Sequence, residues 1–522
     1  MKKTGTFLFG CLLATQLLFS QEEFKKEWET KVDVENKWNA CNADLSMVLI
    51  GDLKTFAMID GTNGKTLWTF NAKERLGIKA VNDWSFLWAM EGDPVEVVYN
   101  KPKEDTKTII YLDPKTGQIN SSITESTLKD KVNRAKKTKV KRKFATSVFD
   151  SESNTYVDLY FKDKFLKNSC AGNTFEVTVK ANGANSWQTP IKAKAVTHIN
   201  RLLLSSEDPD IMMDIIVKNG KVFVIYEGIT ALDLKSGTVL WSSSFDIVDA
   251  GMTSQEIGKA PLPTVDNNAV YLYDKSKDAR TIKKLDINSG NIIWQSEKID
   301  NDAVISELLV ANNVLIAKFG GYIRKAKSVY NPNNGATTNI AKIVFEGKSE
   351  IRTFDASNGK ILWTSETVFT EDKFSKSECS ILVDNGNLIA CSPKFIYFID
   401  PPTGKVISKT ELGKEIGKPK SIFEYDKNYI VKGEEGIASY SPAGTKNYST
   451  STNKVLFTEF KGDAYIVWTG KDEDDQNEFV RFDLTTGKIM GKLKGCYVPR
   501  FDLTGNYFIR FNEQTITKHK TL

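Results

Sequence analysis

Seven carboxylates recur along this chain in one local setting. They are Asp60 in IDGTNGKTLW (59–68), Asp113 in LDPKTGQINS (112–121), Asp233 in LDLKSGTVLW (232–241), Asp286 in LDINSGNIIW (285–294), Asp355 in FDASNGKILW (354–363), Asp400 in IDPPTGKVIS (399–408) and Asp483 in FDLTTGKIMG (482–491). Gathered in one cleft, such side chains could act as general acids or bases, or hold a metal ion. Carboxylate catalysis, however, sets unlike members side by side in differing environments, and these recur once per repeat in near-identical ones. The spacing assigns them instead to turns, where an Asp accepts hydrogen bonds from backbone N–H groups two or three residues on. The shared glycines, Gly64, Gly117, Gly237, Gly290, Gly359, Gly404 and Gly487, then supply the positive φ that returns the chain to a strand. Trp68, Trp241, Trp294 and Trp363 each stand four residues after such a glycine. An indole could stack on a planar ligand, but one ring per repeat at one offset reads as a wedge packed between neighbouring units.

Other chemistry-bearing groups are scarce. The chain has only two histidines, His198 and His519, which excludes a histidine metal cluster. A Ser-His-Asp triad would depend on His198, and no GxSxG elbow is present. Neither a GxGxxG opening a helix nor a GxxxxGK[ST] loop occurs, so phosphate-cradling motifs are missing. Six scattered cysteines form no CxxC pair. Cys379 and Cys391 flank a hairpin centred on Asn385-Gly386, which suits a type I′ turn. In that register the two thiols fall on opposite sheet faces, which speaks against a bond between them. A basic run, Lys129 to Phe144, lies in an insertion around 125–145 and reads as a solvated loop, with an anionic surface as the other reading. The acidic run from Lys471 to Glu478 lacks the glycine of a calcium-binding loop and reads as an exposed connection.

The elements that would position these residues are strands. After each glycine an apolar stretch begins; in the 354–363 copy Ile361 and Trp363 share one face and Leu362 takes the other, the pattern of a strand covered on both sides. Between the repeats, stretches such as 212–233, 262–274, 307–319, 421–433 and 457–470 alternate short β runs with Asn, Asp and Gly turns, and no long amphipathic helix appears. Two degenerate copies fill the long gaps, VKANGANSW with Gly183 and Trp187, and YSPAGTKNY with Gly444. The glycine spacings are then 53, 66, 54, 53, 69, 45, 40 and 43, the length of a four-stranded propeller blade with two longer steps. The fold class is therefore all-β, a propeller of four-stranded blades. Eight blades fit best, with seven or nine also compatible. The C-terminal tail supplies strands that close the ring with the segment around Val32 to Leu49.

The first twenty residues place Lys2 and Lys3 ahead of an apolar run from Thr6 to Phe19, followed by Ser20 and Gln21, the layout of a secretory signal peptide. That run is shorter than the roughly 20 residues needed to span a bilayer. Leu8-Phe9-Gly10-Cys11 has the form of a lipoprotein signal, but the apolar stretch that follows Cys11 argues against it. The reading is an exported chain, periplasmic or extracellular, with 21–522 as one domain and no transmembrane span in the mature protein. Forty per cent apolar residues suffice for a large core, and a net charge of +5 implies no nucleic-acid partner.

The Asp-x-x-Thr-Gly-Lys-x-x-Trp pattern resembles the repeat of pyrroloquinoline-quinone-type (PQQ-like) β-propellers over roughly residues 30 to 510. That family includes quinoprotein alcohol dehydrogenases and non-catalytic members such as the lipoprotein of the outer-membrane barrel-assembly machinery. The dehydrogenases imply a quinone held with calcium, an Asp base and, commonly, a disulfide between adjacent cysteines. No two cysteines adjoin here, and the repeat contains no position that matches a calcium ligand or the base. The resemblance thus implies a non-catalytic scaffold, a monomer without cofactor that binds a protein or a cell-envelope component. PQQ with calcium belongs only to the alternative of a quinone-dependent oxidoreductase.

Overall fold

The computed structural model describes residues 24–521 apart from 43, 53, 78–83, 89–93, 102–105, 127–141, 163–173, 195–213, 227, 246–262, 275–279, 301–302, 331–336, 370–371, 373, 375–376, 471–475 and 495–498. The segment expected to be a signal peptide, the basic insertion from 127 to 141, His198 and most of the acidic run lie outside the described residues.

The described residues form ten four-stranded antiparallel sheets, where the repeat count suggested eight. Nine are built from strands consecutive in the chain, spanning 38–71, 84–126, 142–194, 214–243, 264–295, 305–364, 381–411, 419–451 and 455–494. Each holds one of the nine glycine-centred turns, including the degenerate ones at Gly183 and Gly444. The tenth is made from both ends of the chain. Lys25–Lys31 pairs antiparallel with Thr515–Lys520, which continues to Tyr507–Phe511 and Arg500–Phe501. The N-terminal strand lies just ahead of the Val32–Leu49 segment expected for this role, and Val32 and Val34 follow it into a core shared with Ile509, Phe511 and Ile516. The two α-helices among the described residues are short, Ala72–Leu76 and Ser365–Val368, and Lys414–Ile416 is a 3-10 turn.

The chain divides into two compact units, Met1–Val132 with Asn453–Leu522, and Asn133–Thr452. Within each, apolar clusters sit between sheets that follow one another. In the second unit one joins the 214–243 and 264–295 sheets through Phe223, Ile225, Trp241, Val270 and Leu272, and another joins 264–295 to 305–364 through Tyr271, Trp294, Leu315 and Phe354. In the first, Phe24 reaches from the N-terminal strand into a cluster with Trp468, Phe479 and Phe508.

Burial falls off across each sheet. The second strands are enclosed on both faces, as in Lys221–Tyr226 and Ala269–Asp274. The fourth strands are not: in Ile361–Thr364 only Trp363 is buried, while Ile361 and Leu362 are 49 and 42 % exposed. The expectation of a fourth strand covered on both sides is corrected here. That strand is the sheet's edge, and only the face carrying the indole meets a neighbouring sheet.

The hairpin at Asn385-Gly386 has the positive φ pair of +47° and +77° and the Asp384↔Asn387 register read from its sequence. Cys379 and Cys391 nevertheless share one buried cluster with Ile389, Ile396 and Phe398, so the opposite-face expectation fails. The ladder begins only at Ile381, and Cys379 lies before it, where strand alternation does not govern its direction. Both are free thiols.

Candidate functional site

Each repeat Asp is committed to its own turn. The Oδ1 atoms of Asp60, Asp113, Asp233, Asp286, Asp355 and Asp483 accept backbone N–H groups two or three residues on at 2.7–3.1 Å. Asp400 accepts the Thr403 hydroxyl instead. In all seven turns the glycine N–H donates to the Asp carbonyl at 2.7–2.9 Å, with glycine φ between +66° and +77°. Hydrogen bonds from Ser357 and Asn358 hold Asp355 below the usual carboxylate range, and those from Ser236 and Lys235 do the same for Asp233. These groups are spread one per sheet. Among the described residues, no three His, Cys, Asp or Glu side chains gather to hold a metal.

The tryptophans join each sheet to the next. Trp68 donates its indole N–H to Pro114 O, Trp241 to Ile287 O, Trp294 to Ala356 O and Trp363 to Pro401 O, at 2.7–3.0 Å. Every acceptor is the residue after the repeat Asp of the following sheet. The ring then lies flat on that turn's glycine, where an added Cβ at Gly117, Gly290 or Gly359 would come within 2.5–2.6 Å of it. Glycine is therefore required twice, for its φ and for the ring above it. Two further tryptophans do the same: Trp187 with Leu234 O and Gly237, and Trp28 with Gly61 O and Gly64. Trp28 was not legible as a member of the set, because it lies in the N-terminal strand with no turn of its own.

Among the described residues, one element stands apart from this repeated machinery. In the 305–364 sheet the middle strands, Val314–Tyr330 and Thr337–Asp355, are 17 and 19 residues long, against 7 and 4 for their flanking strands. The first strand pairs only as far as Ile305↔Phe319, and the fourth only to Arg352↔Thr364. The middle pair runs on from Gly321↔Glu346 to Tyr330↔Thr337 as a two-stranded ribbon. Sheet and ribbon are separated by an interruption in the ladder, where Gly320, at φ +83°, faces 347–349.

A polar network fixes the ribbon's base to the next two sheets. The Tyr322 hydroxyl and the Lys420 ammonium both donate to Glu378 Oε2, and Lys420 also reaches Glu434 Oε1 at 2.9 Å. Burial and the hydrogen bond to Glu378 push Tyr322 up to about 12. Glu378 is held low, because the hydrogen bonds from Lys420 and Tyr322 outweigh the upward push of burial. Beneath it, wholly buried Lys318 places its ammonium 3.5 Å from Glu307 Oε1, and Glu307 Oε2 accepts the Ile381 N–H at 3.1 Å. Neighbouring first strands are thus tied by charged and polar groups at the end from which the ribbon leaves. The network thus positions backbone at the ribbon's base. His519, the one described histidine, is buried and stacked on Phe508 at 4.9 Å, with Nδ1 3.3 Å from Phe24 O, and belongs to the packing of the terminal sheet.

Residues 173–345 match the model of the family described as outer membrane protein assembly factor BamB. The protein of that name from Escherichia coli K12 is 29% identical over 144 residues, 27% of this chain and 31% of that protein. The one from Francisella tularensis is 21% identical over 235 residues, 45% of this chain and 42% of that protein. The matches therefore span less than half the length of these relatives. The crystal structure of BamB from Moraxella catarrhalis aligns with 73% of this chain and 98% of its own at 11% identity, with a TM-score of 0.35. The chain carries PQQ-like repeats and resembles the outer membrane protein assembly factor BamB.

Proposed function

We propose that this chain is an exported, non-catalytic β-propeller scaffold that binds a protein or envelope component, with its four-stranded sheets as blades. One observation carries the reading: the repeat's carboxylates and indoles are consumed in turns and in joining sheets, which leaves the exposed elements to do the binding. Rigid scaffolds present function on such elements. The N-terminal segment 1–20, with its signal-peptide layout, supports export and removal of that segment, leaving 21–522 as a monomeric, single-domain protein. The named relatives point to outer-membrane protein assembly as the process served, at the bacterial outer membrane.

Affinity capture from envelope extract after cross-linking tests this. A reproducible protein partner is the expected result, and recovery of none would sink the proposal. The oxidoreductase alternative is tested by adding pyrroloquinoline quinone and calcium to purified protein and following absorbance and dye reduction with alcohols. No turnover is expected, and saturable binding with turnover would overturn the non-catalytic reading.

A further inference from the structure

Cys379 and Cys391 are drawn together by more than apolar packing. Both are wholly enclosed in one cluster. The Ser377 hydroxyl donates to the Cys391 carbonyl and accepts the Cys379 N–H at 3.4 Å, so a single side chain holds the two backbones side by side. Ser377 is itself fixed. Its N–H donates to Phe374 O at 2.7 Å, and its carbonyl accepts the Ser349 hydroxyl of the preceding sheet. The ladder begins at Ile381↔Ala390, two residues after Cys379 and one before Cys391, which makes the cysteines diagonal neighbours just outside it. A disulfide bridges Cα atoms about 4.4–6.8 Å apart, and opposed positions of antiparallel strands lie about 4.5–5.5 Å apart. Cys41, the other described cysteine, packs against a different cluster in the other unit.

The two thiols are free in this structure, the form that reducing conditions keep. Under the exported reading the chain folds where disulfides form and persist. We propose that Cys379 and Cys391 become joined by a disulfide when the chain folds in an oxidising compartment, which staples the lead-in 377–380 to the second strand of the 381–411 sheet. The inference rests on the exported reading and adds a covalent bond to it. The lead-in carries Glu378, which accepts Tyr322 and Lys420, and it enters the sheet at Ile381, whose N–H donates to Glu307. The staple therefore fixes the segment to which the sheets before and after it are both tied.

The oxidant is another disulfide, carried by a small molecule or by a thiol–disulfide exchange protein. The thiolate of one cysteine attacks a sulfur of that disulfide, forms a mixed disulfide and expels one thiolate. The second cysteine's thiolate then attacks the protein sulfur, forms the Cys379–Cys391 bond and expels the other. Two protein thiols are oxidised and one disulfide is reduced to two thiols, which take up the two protons. Burial in apolar surroundings suppresses the thiolate, so this exchange belongs to folding, before the cluster closes.

Trypsin, which cuts after Lys and Arg, places both cysteines in one peptide, 377–394. The reduced, unfolded mature chain is refolded with oxidised glutathione or with dithiothreitol, unfolded again in iodoacetamide, digested and weighed. After refolding with glutathione the peptide should be lighter by two hydrogen atoms and carry no alkyl group; after dithiothreitol both cysteines should be alkylated. A glutathione-refolded peptide that is doubly alkylated, carries glutathione or is linked to another peptide overturns the proposal. The C41S/C170S/C496S variant, in which only this bond can form, should unfold at higher urea after refolding with glutathione than with dithiothreitol. An equal or lower midpoint overturns the staple. The same peptide taken from the chain secreted with its own leader into a bacterial periplasm should be in the disulfide form, and the dithiol form there overturns the proposal. Retention of that chain in the cytoplasm would instead sink the exported reading, with the refolding result still deciding whether the pair bonds.

Discussion

Trp241 donates its indole N–H to the carbonyl of Ile287 at 3.0 Å, and its ring covers Gly290 in the turn that Ile287 belongs to. One side chain thereby fixes the distance and tilt between two sheets, using a hydrogen bond for direction and a flat ring for contact. The same relation recurs with Trp28, Trp68, Trp187, Trp294 and Trp363.

Gly290→Ala should be far costlier than Gly220→Ala. Both glycines have positive φ, +70° and +67°, but a Cβ at Gly290 meets the Trp241 ring at 2.5 Å, whereas one at Gly220 meets nothing within 4 Å. Left-handed backbone alone costs roughly 1–2 kcal/mol, and overpacking adds about 1–3 kcal/mol. Urea unfolding of the two variants should show the difference, and equal losses would contradict the ring-on-glycine account.

Trp363→Phe should separate the hydrogen bond from the ring. Loss of the 2.7 Å bond to Pro401 O leaves a buried carbonyl without its donor, at about 1–3 kcal/mol. Trp363→Ala, which also removes the ring from the core, should cost about 3–5 kcal/mol. Denaturation midpoints for both variants decide this, and a Phe variant as damaged as the Ala variant would remove the bond from the explanation.

Phe24→Ala should loosen the terminal sheet. The ring stacks on Phe479 at 5.2 Å and meets Phe508 edge-on at 5.1 Å, and truncating such a phenyl costs about 3–5 kcal/mol. Hydrogen exchange should quicken first in Lys25–Lys31 and its partner Thr515–Lys520. Unchanged protection there would show that the N-terminal strand is not held by this ring.

Acid should weaken the network below the ribbon. Folding depresses the Glu378 pKa, so the stability this group contributes is present above its unfolded value and is lost as pH falls through the folded one. The urea midpoint of the native protein should therefore fall between roughly pH 5 and pH 3. Glu378→Gln should be less stable by about 1 kcal/mol at pH 7 and lose less on acidification. Parallel pH profiles for the two proteins would refute the assignment.

Cys379 and Cys391 should resist alkylation in the folded protein. Both are wholly buried, and burial together with the neighbouring Cys379 thiol pushes Cys391 well above its usual range, which suppresses the reactive thiolate. In a background with the other cysteines replaced by Ser, iodoacetamide at mildly alkaline pH should label neither until urea is added. Rapid labelling without denaturant would place them elsewhere than in a closed core.

Much of this architecture is local and so was legible. The Asp355 turn is closed by bonds to Ser357 and Gly359, within a few residues of the carboxylate. Any stretch with that spacing can make those bonds, so the repeat disclosed the turns, their glycines and the all-β class. The sheet count was less legible, because one sheet is assembled from residues 25–31 and 500–520, which share no motif and meet only in the folded chain. The ribbon left one trace, the 69-residue step from Gly290 to Gly359, but an interval reports only surplus length. Where a strand outruns its neighbours depends on where those neighbours end.

By itself, then, the sequence determined the repeated turn, its glycine and the short β runs between the turns, since each follows from backbone geometry over a few residues. Tertiary structure decided which carbonyl receives each indole, some 46 residues away for Trp241, which strands end as exposed edges, and that Cys379 turns into the same core as Cys391. It also decided that Tyr322, Glu378 and Lys420, far apart in the chain, converge beneath a basic ribbon. These outcomes depend on contacts between sheets, and those form only after each sheet has already been built.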